Sequence, residues 1–331
     1  MILKDKVILV TGGTGSFGQK FTEIVLQNHK PKKLIIFSRD EFKQHEMAKV
    51  FPDTRFPIRY FLGDIRDRDR LYRAFEGVDY VIHAAALKQV PALEYNPTEA
   101  VRTNVDGANN IVDVAIDAGV KKVIALSTDK AVSPVNLYGA TKLVAEKLFI
   151  AANAYGGGRV KFSVVRYGNV VGSRGSVVLF FLELKRRGVK NFPITDKRMT
   201  RFWIKLEQSV NLALKALDES VGGEIFVPKI PSIRVVDLAK AIEPFCQLKY
   251  IGIRPGEKLH ESLVSEDESR KAFDFKNHYV ILPQFMSNDE IFAKFKRGNP
   301  LPNGFTYRSD LNKEWLDVDR LRRMVKDEFL T

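Results

Sequence analysis

Tyr138 and Lys142 stand four residues apart in the run Tyr-Gly-Ala-Thr-Lys. If that run is helical, phenol and ammonium lie one above the other and reach the same site. A neighbouring cation favours tyrosinate, so the pair reads as a proton acceptor whose pKa is lowered by Lys142. Tyr-x-x-x-Lys alone fits a solvated helix face equally well. Two other stretches give it weight. Ser127-Thr128-Asp129-Lys130 sets an acid beside an ammonium shortly before it, and the chain opens with the glycine loop Thr11-Gly12-Gly13-Thr14-Gly15-Ser16-Phe17-Gly18.

The elements that must hold these groups follow from the apolar runs. Residues 6–11 read as a short buried strand and residues 18–28 as a helix. Further strands are expected at 33–38, 59–62, 80–83, 123–127 and 162–166, with helical patterns between them. Such alternation predicts βαβ units in a doubly wound parallel sheet covered on both faces, an α/β Rossmann architecture. Beyond residue 173 the rhythm breaks around Pro193, Pro228, Pro231, Pro244 and Pro255. The expected division is a dinucleotide-binding domain over 1–173 and a smaller, discontinuous, mainly substrate-binding domain over 174–331. Residues 223–227 read as a strand returning to the first. The tail from Ser265 is the least legible part, and its aromatic residues read as packing.

Gly12, Gly15 and Gly18 follow a strand and open a helix, which is where a backbone must come close to a pyrophosphate. The second strand ends in Ser38-Arg39-Asp40. An acid at that tip accepts from the ribose 2′-hydroxyl of NAD, whereas serine and arginine suit the 2′-phosphate of NADP. Lys43 adds a cation within one helical turn, so NADP is the expected cofactor, with Asp40 and Glu41 arguing the other way. Asp129 and Lys130 end a strand on the carboxyl side, where open α/β sheets build their sites.

Composition sets the outer limits. A chain of 331 residues, 45% hydrophobic, buries a large core in one big domain or two unequal ones. No apolar stretch approaches the roughly 20 residues of a membrane span, and the start leads straight into a strand with no signal peptide, so a cytoplasmic enzyme with no membrane partner is expected. The single cysteine, Cys246, excludes an intrachain disulfide and a thiolate cluster, and reads as a small buried apolar residue. No metal is expected. The net charge of +13, from 53 basic and 40 acidic residues, suits a site for several phosphates. Nucleic acid is not expected, because acids interleave with the bases, as over Asp64-Ile65-Arg66-Asp67-Arg68-Asp69-Arg70, and no nucleic-acid-binding signature is present.

The Gly-x-x-Gly-x-x-Gly spacing resembles the extended branch of the short-chain dehydrogenase/reductase superfamily. A narrower likeness rests on His83-Ala84-Ala85-Ala86-Leu87-Lys88, Leu126-Ser127-Thr128-Asp129-Lys130, Asn136-Leu137-Tyr138-Gly139-Ala140-Thr141-Lys142, Arg166-Tyr167-Gly168-Asn169-Val170-Val171-Gly172-Ser173-Arg174-Gly175, Met199-Thr200-Arg201-Phe202-Trp203 and Arg254-Pro255-Gly256-Glu257-Lys258. Across about residues 5–275 the chain resembles the inverting UDP-N-acetylglucosamine 4,6-dehydratases, which begin pseudaminic acid synthesis and are associated with flagellin modification. Gln89 and Ser133 depart from the expected histidine and asparagine, and neither removes a catalytic group.

The resemblance implies UDP-N-acetylglucosamine as substrate and a homo-oligomer, dimer or hexamer. It implies Lys130 as the base at C5, Asp129 as the acid at C6, Tyr138 with Lys142 at the 4-hydroxyl, and Thr128 beside them. A lysine stands where retaining relatives carry glutamate, so inversion rests on Lys130. For the cofactor it implies Gly12, Thr14, Gly15, Ser16, Phe17, Gly18, Ser38, Arg39, Asp40, Lys43, Asp64 and Ile65 near the adenosine and phosphates. Ala84, Ala85 and Ala86 pass close by, and Lys88, Tyr138 and Lys142 complete the set. For the substrate it implies Lys88, Asn169, Thr195, Arg254 and Glu257. Arg254 is also plausible on its own terms, since a guanidinium grips a diphosphate bidentately. An NADP-dependent 4-epimerase or reductase shares the fold and Tyr-x-x-x-Lys but has less use for Asp129-Lys130. A non-catalytic redox-sensing module usually lacks the tyrosine or the lysine.

Overall fold

The run Val-Ile-Leu-Val-Thr forms β1 (Val7–Thr11) inside a ten-stranded sheet. The computed structural model describes residues 2–173, 175–285 and 293–329, so Arg174 of the glycine-rich motif lies outside the described residues. Beside β1 stand β2 (Lys33–Ser38) and β3 (Ile58–Leu62) on one side, and β4 (Tyr80–His83), β5 (Lys122–Thr128) and β6 (Lys161–Tyr167) on the other. All five pairings in this block are parallel, in the order β3-β2-β1-β4-β5-β6. Central strands such as β1, β4 and β6 are buried almost throughout, as a sheet with both faces covered requires.

The connections are helical. In chain order they are α1 (Ser16–Asn28), α2 (Glu41–Val50), α3 (Arg68–Phe75), α4 (Val90–Tyr95), α5 (Pro97–Val101), a π-helical turn Arg102–Asp106, α6 (Gly107–Asp117) and α7 (Leu137–Tyr155). The strands run out from β1 in both directions, so right-handed crossovers place helices on both faces. α3, α6 and α7 pack side by side. α7 starts at Asn136, whose side chain accepts from Gly139 N at 2.7 Å, and it stops at Gly156. This cap fixes the first turn, which carries Tyr138.

The later chain returns to the sheet further than expected. The run 223–227 does supply a parallel strand, β10 (Ile225–Pro228), against β6. The tail then adds β15 (His278–Ile281) antiparallel to β10, with β14 (Ala272–Asp274) and β16 (Asn299–Pro300) beyond it. Phe226, Phe275 and Phe295 pack there around His278.

A second core, smaller than that of the sheet, is built from Val178, Phe181, Phe192, Ile194, Trp203, Leu238, Ile242 and Leu321, among others. It lies between α8 (Val177–Arg186), α10 (Val235–Ile242), the helix Val318–Phe329 and the short strands β8 (Asn191–Ile194) and β9 (Thr200–Ile204). Cys246 packs half-buried against it. No described helix is long and apolar enough to cross a membrane.

Candidate active site

A cleft of about 700 Å³ opens above the carboxyl ends of β1, β2, β4 and β5. Gly12 adopts φ +65°, and a Cβ there would sit 2.8 Å from Ala85 Cα and N. Glycine therefore allows the loop to touch the chain leaving β4. A Cβ on Gly18 would meet Gly13 O at 2.3 Å; this third glycine closes the loop on itself and does not line the cleft. Gly15 caps α1 with no side-chain hydrogen bond, so the helix presents its first N–H groups to the cleft, as a diphosphate requires. Thr14, Ser16 and Phe17 complete this wall. These features fit a dinucleotide.

The wall that meets the adenosine end carries Ser38, Arg39, Asp40, Lys43, Asp64 and Ile65. Thr14 Oγ1 and Ser38 Oγ lie 2.8 Å apart. Asp40 is the N-cap of α2: it accepts from Lys43 N at 2.9 Å and pairs with the Lys43 ammonium. Its carboxylate is thus engaged at the helix start. Asp64 is gripped by Arg66 through Nε and Nη2 at 3.1 and 2.8 Å, with Arg39 Nη1 at 3.5 Å. Arg66 holds the Asp64 carboxyl below its ordinary range against the opposing effect of burial. Arg39, 52% exposed, leans over the cleft mouth.

Ala84, Ala85, Ala86 and Lys88 form the opposite rim. They are held by Asn104, a residue that sequence reasoning passed over. From the π-helical turn its Oδ1 accepts from Leu87 N at 2.8 Å, while Nδ2 donates to Leu87 O at 2.9 Å and Thr141 Oγ1 at 3.0 Å. One buried amide therefore ties the rim to α7. Only its place in a helix that breaks register marked it, and sequence does not report π-turns. Below, His83 Nδ1 lies 2.8 Å from Thr11 Oγ1, and burial pushes the imidazole down to about 3.

Thr128, Asp129, Lys130, Tyr138 and Lys142 all line the inner end of this cleft. Asp129 is fully buried at the end of β5, with Lys130 Nζ 3.0 Å from its Oδ1 and Thr128 Oγ1 donating to the same oxygen at 2.9 Å. Burial pushes the Asp129 carboxyl up despite Lys130, and nearby Glu261 adds to the effect. Lys130 is the reverse case: burial opposes the ammonium, but Asp129 and Glu261 outweigh it and hold the pKa above the ordinary lysine value.

The Tyr138–Lys142 pair differs from expectation. Burial pushes the Tyr138 phenol up to about 12; Lys130 and a hydrogen bond with Thr128 pull the other way, and Lys142 has no resolved part in the shift. Lys142 Nζ instead donates to Leu126 O at 2.7 Å. Burial brings that ammonium down to about 8, partly offset by Glu146. In a dry site desolvation outweighs a cation directed elsewhere. The lowering of the phenol by Lys142, read from spacing alone, is therefore corrected.

Of the residues expected to hold substrate, Lys88 and Asn169 line the cleft. Thr195, Arg254 and Glu257 form a separate group beside it. Thr195 Oγ1 donates to Glu257 Oε2 at 3.2 Å and Arg254 N to the same atom at 3.3 Å. The segment is pinned to the catalytic helix by Asn136 Nδ2, which donates to Gly256 O at 2.7 Å. Lys258 Nζ donates to Val132 O at 2.5 Å. Sequence reasoning also missed Glu261, whose Oε1 is 3.1 Å from Lys130 Nζ. No group of three or more His, Cys, Asp or Glu side chains suited to a metal ion occurs among the described residues.

With this geometry in place, likeness to known proteins becomes informative. The family described as polysaccharide biosynthesis protein matches residues 8–283. A Campylobacter jejuni protein named UDP-N-acetylglucosamine 4,6-dehydratase (inverting) is 53% identical over 330 residues, covering 98% of each chain. A Rickettsia massiliae protein named UDP-glucose 4-epimerase is 45% identical over 285 residues, 84% of this chain and 83% of that one. Among solved structures, Pen from Bacillus thuringiensis is 37% identical, covers 100% of each chain and superposes with a TM-score of 0.91.

Proposed function

The chain belongs to the polysaccharide biosynthesis protein family and is a relative of the inverting UDP-N-acetylglucosamine 4,6-dehydratases, and from that premise we propose that it is itself a nucleotide-sugar 4,6-dehydratase. Its substrate is UDP-N-acetylglucosamine, its cofactor NADP, and its product the 4-keto-6-deoxy sugar inverted at C5. The observation that carries this reading is the contact of Asp129 with Lys130 at 3.0 Å, in one cleft with Tyr138 and a dinucleotide-type glycine loop. An oxidoreductase needs only the tyrosine and lysine. An elimination needs an acid and a base as well.

The roles follow from environment. Tyr138 takes the proton of the sugar 4-hydroxyl. When bound, the nicotinamide would accept the hydride from C4 and return it to C6. A 4-keto group acidifies the C5 hydrogen, which Lys130 removes. Asp129, whose carboxyl burial keeps protonated more readily than usual, gives its proton to the C6 oxygen, which leaves as water. C5 then regains a proton that comes from water on the opposite face, and Tyr138 releases the one it took to water, so the proton count closes. The lysine in the position of a retaining enzyme's glutamate supports inversion.

NADP is supported by Ser38 and the half-exposed Arg39 at the cleft mouth, groups suited to a 2′-phosphate, while Asp40 and Lys43 pair with each other at the start of α2. The regions around Thr195, Arg254 and Glu257 serve the nucleotide-sugar. A homo-oligomer in the cytoplasm, at the first step of pseudaminic acid synthesis, completes the proposal.

Incubation with UDP-N-acetylglucosamine and no added reductant tests it. A product lighter by one water with a 4-keto group is expected. The 45% likeness to a protein named as an epimerase defines the competing result, a 4-epimer of unchanged mass.

A further inference from the structure

Glu261 reaches the site from just beyond the Arg254–Lys258 motif. It precedes β13 (Ser262–Val264), and Ser309 clamps its backbone on both sides: Glu261 N donates to Ser309 Oγ at 3.0 Å and Ser309 N donates to Glu261 O at 2.8 Å. Its side chain is 2% exposed, with Oε1 3.1 Å from Lys130 Nζ. Oε2 accepts no hydrogen bond from any described residue, and Lys258 Nζ stands 4.0 Å from it. Asp129 Oδ1 approaches the same Nζ at 3.0 Å, while Oδ2 is likewise without a hydrogen bond from described residues. One ammonium thus joins two buried carboxylates, each with an oxygen to spare.

The charges around the trio are unevenly placed. Glu261 faces Lys130, Lys258 and Arg201, whose Nε is 3.9 Å away. Asp129 faces Lys130, Thr128 and Tyr138. Burial works to raise the Glu261 carboxyl, but Lys130, Arg201 and Lys258 outweigh it and hold it below the ordinary range. Of the two carboxyl groups, Asp129 therefore takes up a proton more readily than Glu261, and the resting Nζ is an ammonium between them. An ammonium has no lone pair with which to act as a base.

We infer that Glu261 is the positioning partner of Lys130, holding Nζ beside Asp129 so that the ammonium can pass one proton to that carboxylate when the amine must take the C5 hydrogen. This rests on the dehydratase reading above. In the step, an N–H bond of Nζ breaks and its electron pair stays on nitrogen, while the proton bonds to Asp129 Oδ1, 3.0 Å away. The freed pair then takes the C5 proton, the C5–H electrons enter the enolate, and the C6–O bond breaks as Asp129 protonates the departing oxygen. The trio gains one proton at Nζ and loses one from Asp129, which restores the resting state. No oxidant or reductant enters. Glu261 acts through Lys130 and is a positioning residue.

Two readouts on the full-length protein test this. The first is acetylation of Lys130 by acetic anhydride at fixed neutral pH, read by mass spectrometry against exposed Lys249. In Glu261→Gln the Lys130 rate rises about 10-fold or more, because a carboxylate that stabilised the ammonium is gone. Glu261→Asp, which disturbs packing but keeps the charge, returns it toward the native rate. The second is water loss from UDP-N-acetylglucosamine, which Glu261→Gln slows about 100-fold or more. An unchanged Lys130 rate in Glu261→Gln, or water loss at the native rate, overturns the inference. If Glu261→Gln does not fold, Glu261→Asp decides: its water loss is expected to be about 10-fold slower, and a native rate overturns the proposal. Should the native protein release no water from this substrate, the dehydratase reading falls, while acetylation still decides whether Glu261 governs the proton on Lys130.

Discussion

Lys142 Nζ donates to the carbonyl oxygen of Leu126 at 2.7 Å, so the strand that leads into Asp129 and Lys130 also holds the ammonium that shares a helix with Tyr138. Burial lowers this group to about 8, with Glu146 opposing the shift. The cation is present below that pH and lost above it. If it supports proton removal by Tyr138, kcat/KM falls as pH rises through about 8. Lys142→Arg, charged at every accessible pH, retains little activity, and what remains lacks this alkaline limb. A native profile that is flat across the region contradicts the assignment.

Arg39 tests cofactor choice. Its guanidinium leans over the cleft beside Asp64, while Asp40 is held at the start of α2. Replacing Arg39 by alanine weakens NADP binding about 10-fold or more, the loss of a charge-assisted hydrogen bond, and leaves NAD binding unchanged. Titration calorimetry with both cofactors reads this directly. Equal or tighter binding of NAD by the native protein sinks the reading of Ser38 and Arg39.

The catalytic helix is anchored by a buried charge cluster. Arg166, 1% exposed, donates to Glu146 Oε1 and Oε2 at 3.0 and 2.6 Å and to Glu268 at 2.9 and 3.0 Å. Arg166→Met strands two carboxylates and lowers stability by about 3 to 5 kcal/mol, measured by urea unfolding. Replacing Arg166, Glu146 and Glu268 together with apolar residues costs less than the single change. A single-variant loss below about 1 kcal/mol would place the cluster among weak surface pairs.

Acid weakens the fold through a buried histidine. His83 falls from 6.5 to about 3 through burial, with Lys142 adding to the effect. A depressed folded value means that its stability contribution is complete above 6.5 and is lost as pH falls toward about 3. From pH 7 to 5 the linkage amounts to roughly 2 kcal/mol. His83→Asn removes that slope from urea unfolding curves. An unchanged slope would show that His83 is not the group responsible.

Much of this was legible in the chain. Short apolar runs between helical patterns announced β1 to β6, because strands covered on both faces leave no polar side to disguise them. The three glycines and the Asp129-Lys130 and Tyr138-Lys142 pairs lie in one cleft or its supporting loop because the connections that hold them are short. Other features had no local signal. Glu261 lies 131 residues beyond Lys130, and it is brought in by the pairing of β13 with β17 (Tyr307–Arg308) and by the Asn136–Gly256 and Lys258–Val132 hydrogen bonds. β14 and β15 are short antiparallel strands whose pattern carries no βαβ rhythm. The environment of Tyr138 was misjudged because helix spacing reports which residues are neighbours, while a pKa depends on how much water the fold removes.

The central claim is that an acid and an ammonium at the end of β5 convert an oxidoreductase site into one that eliminates water and inverts C5. Turnover of UDP-N-acetylglucosamine in deuterated water, followed by NMR, tests it most directly. The account predicts a 4-keto-6-deoxy product carrying deuterium at C5 in the inverted configuration, and no such product from Lys130→Met. A product with the original C5 configuration, or one formed at the native rate by Lys130→Met, would contradict it.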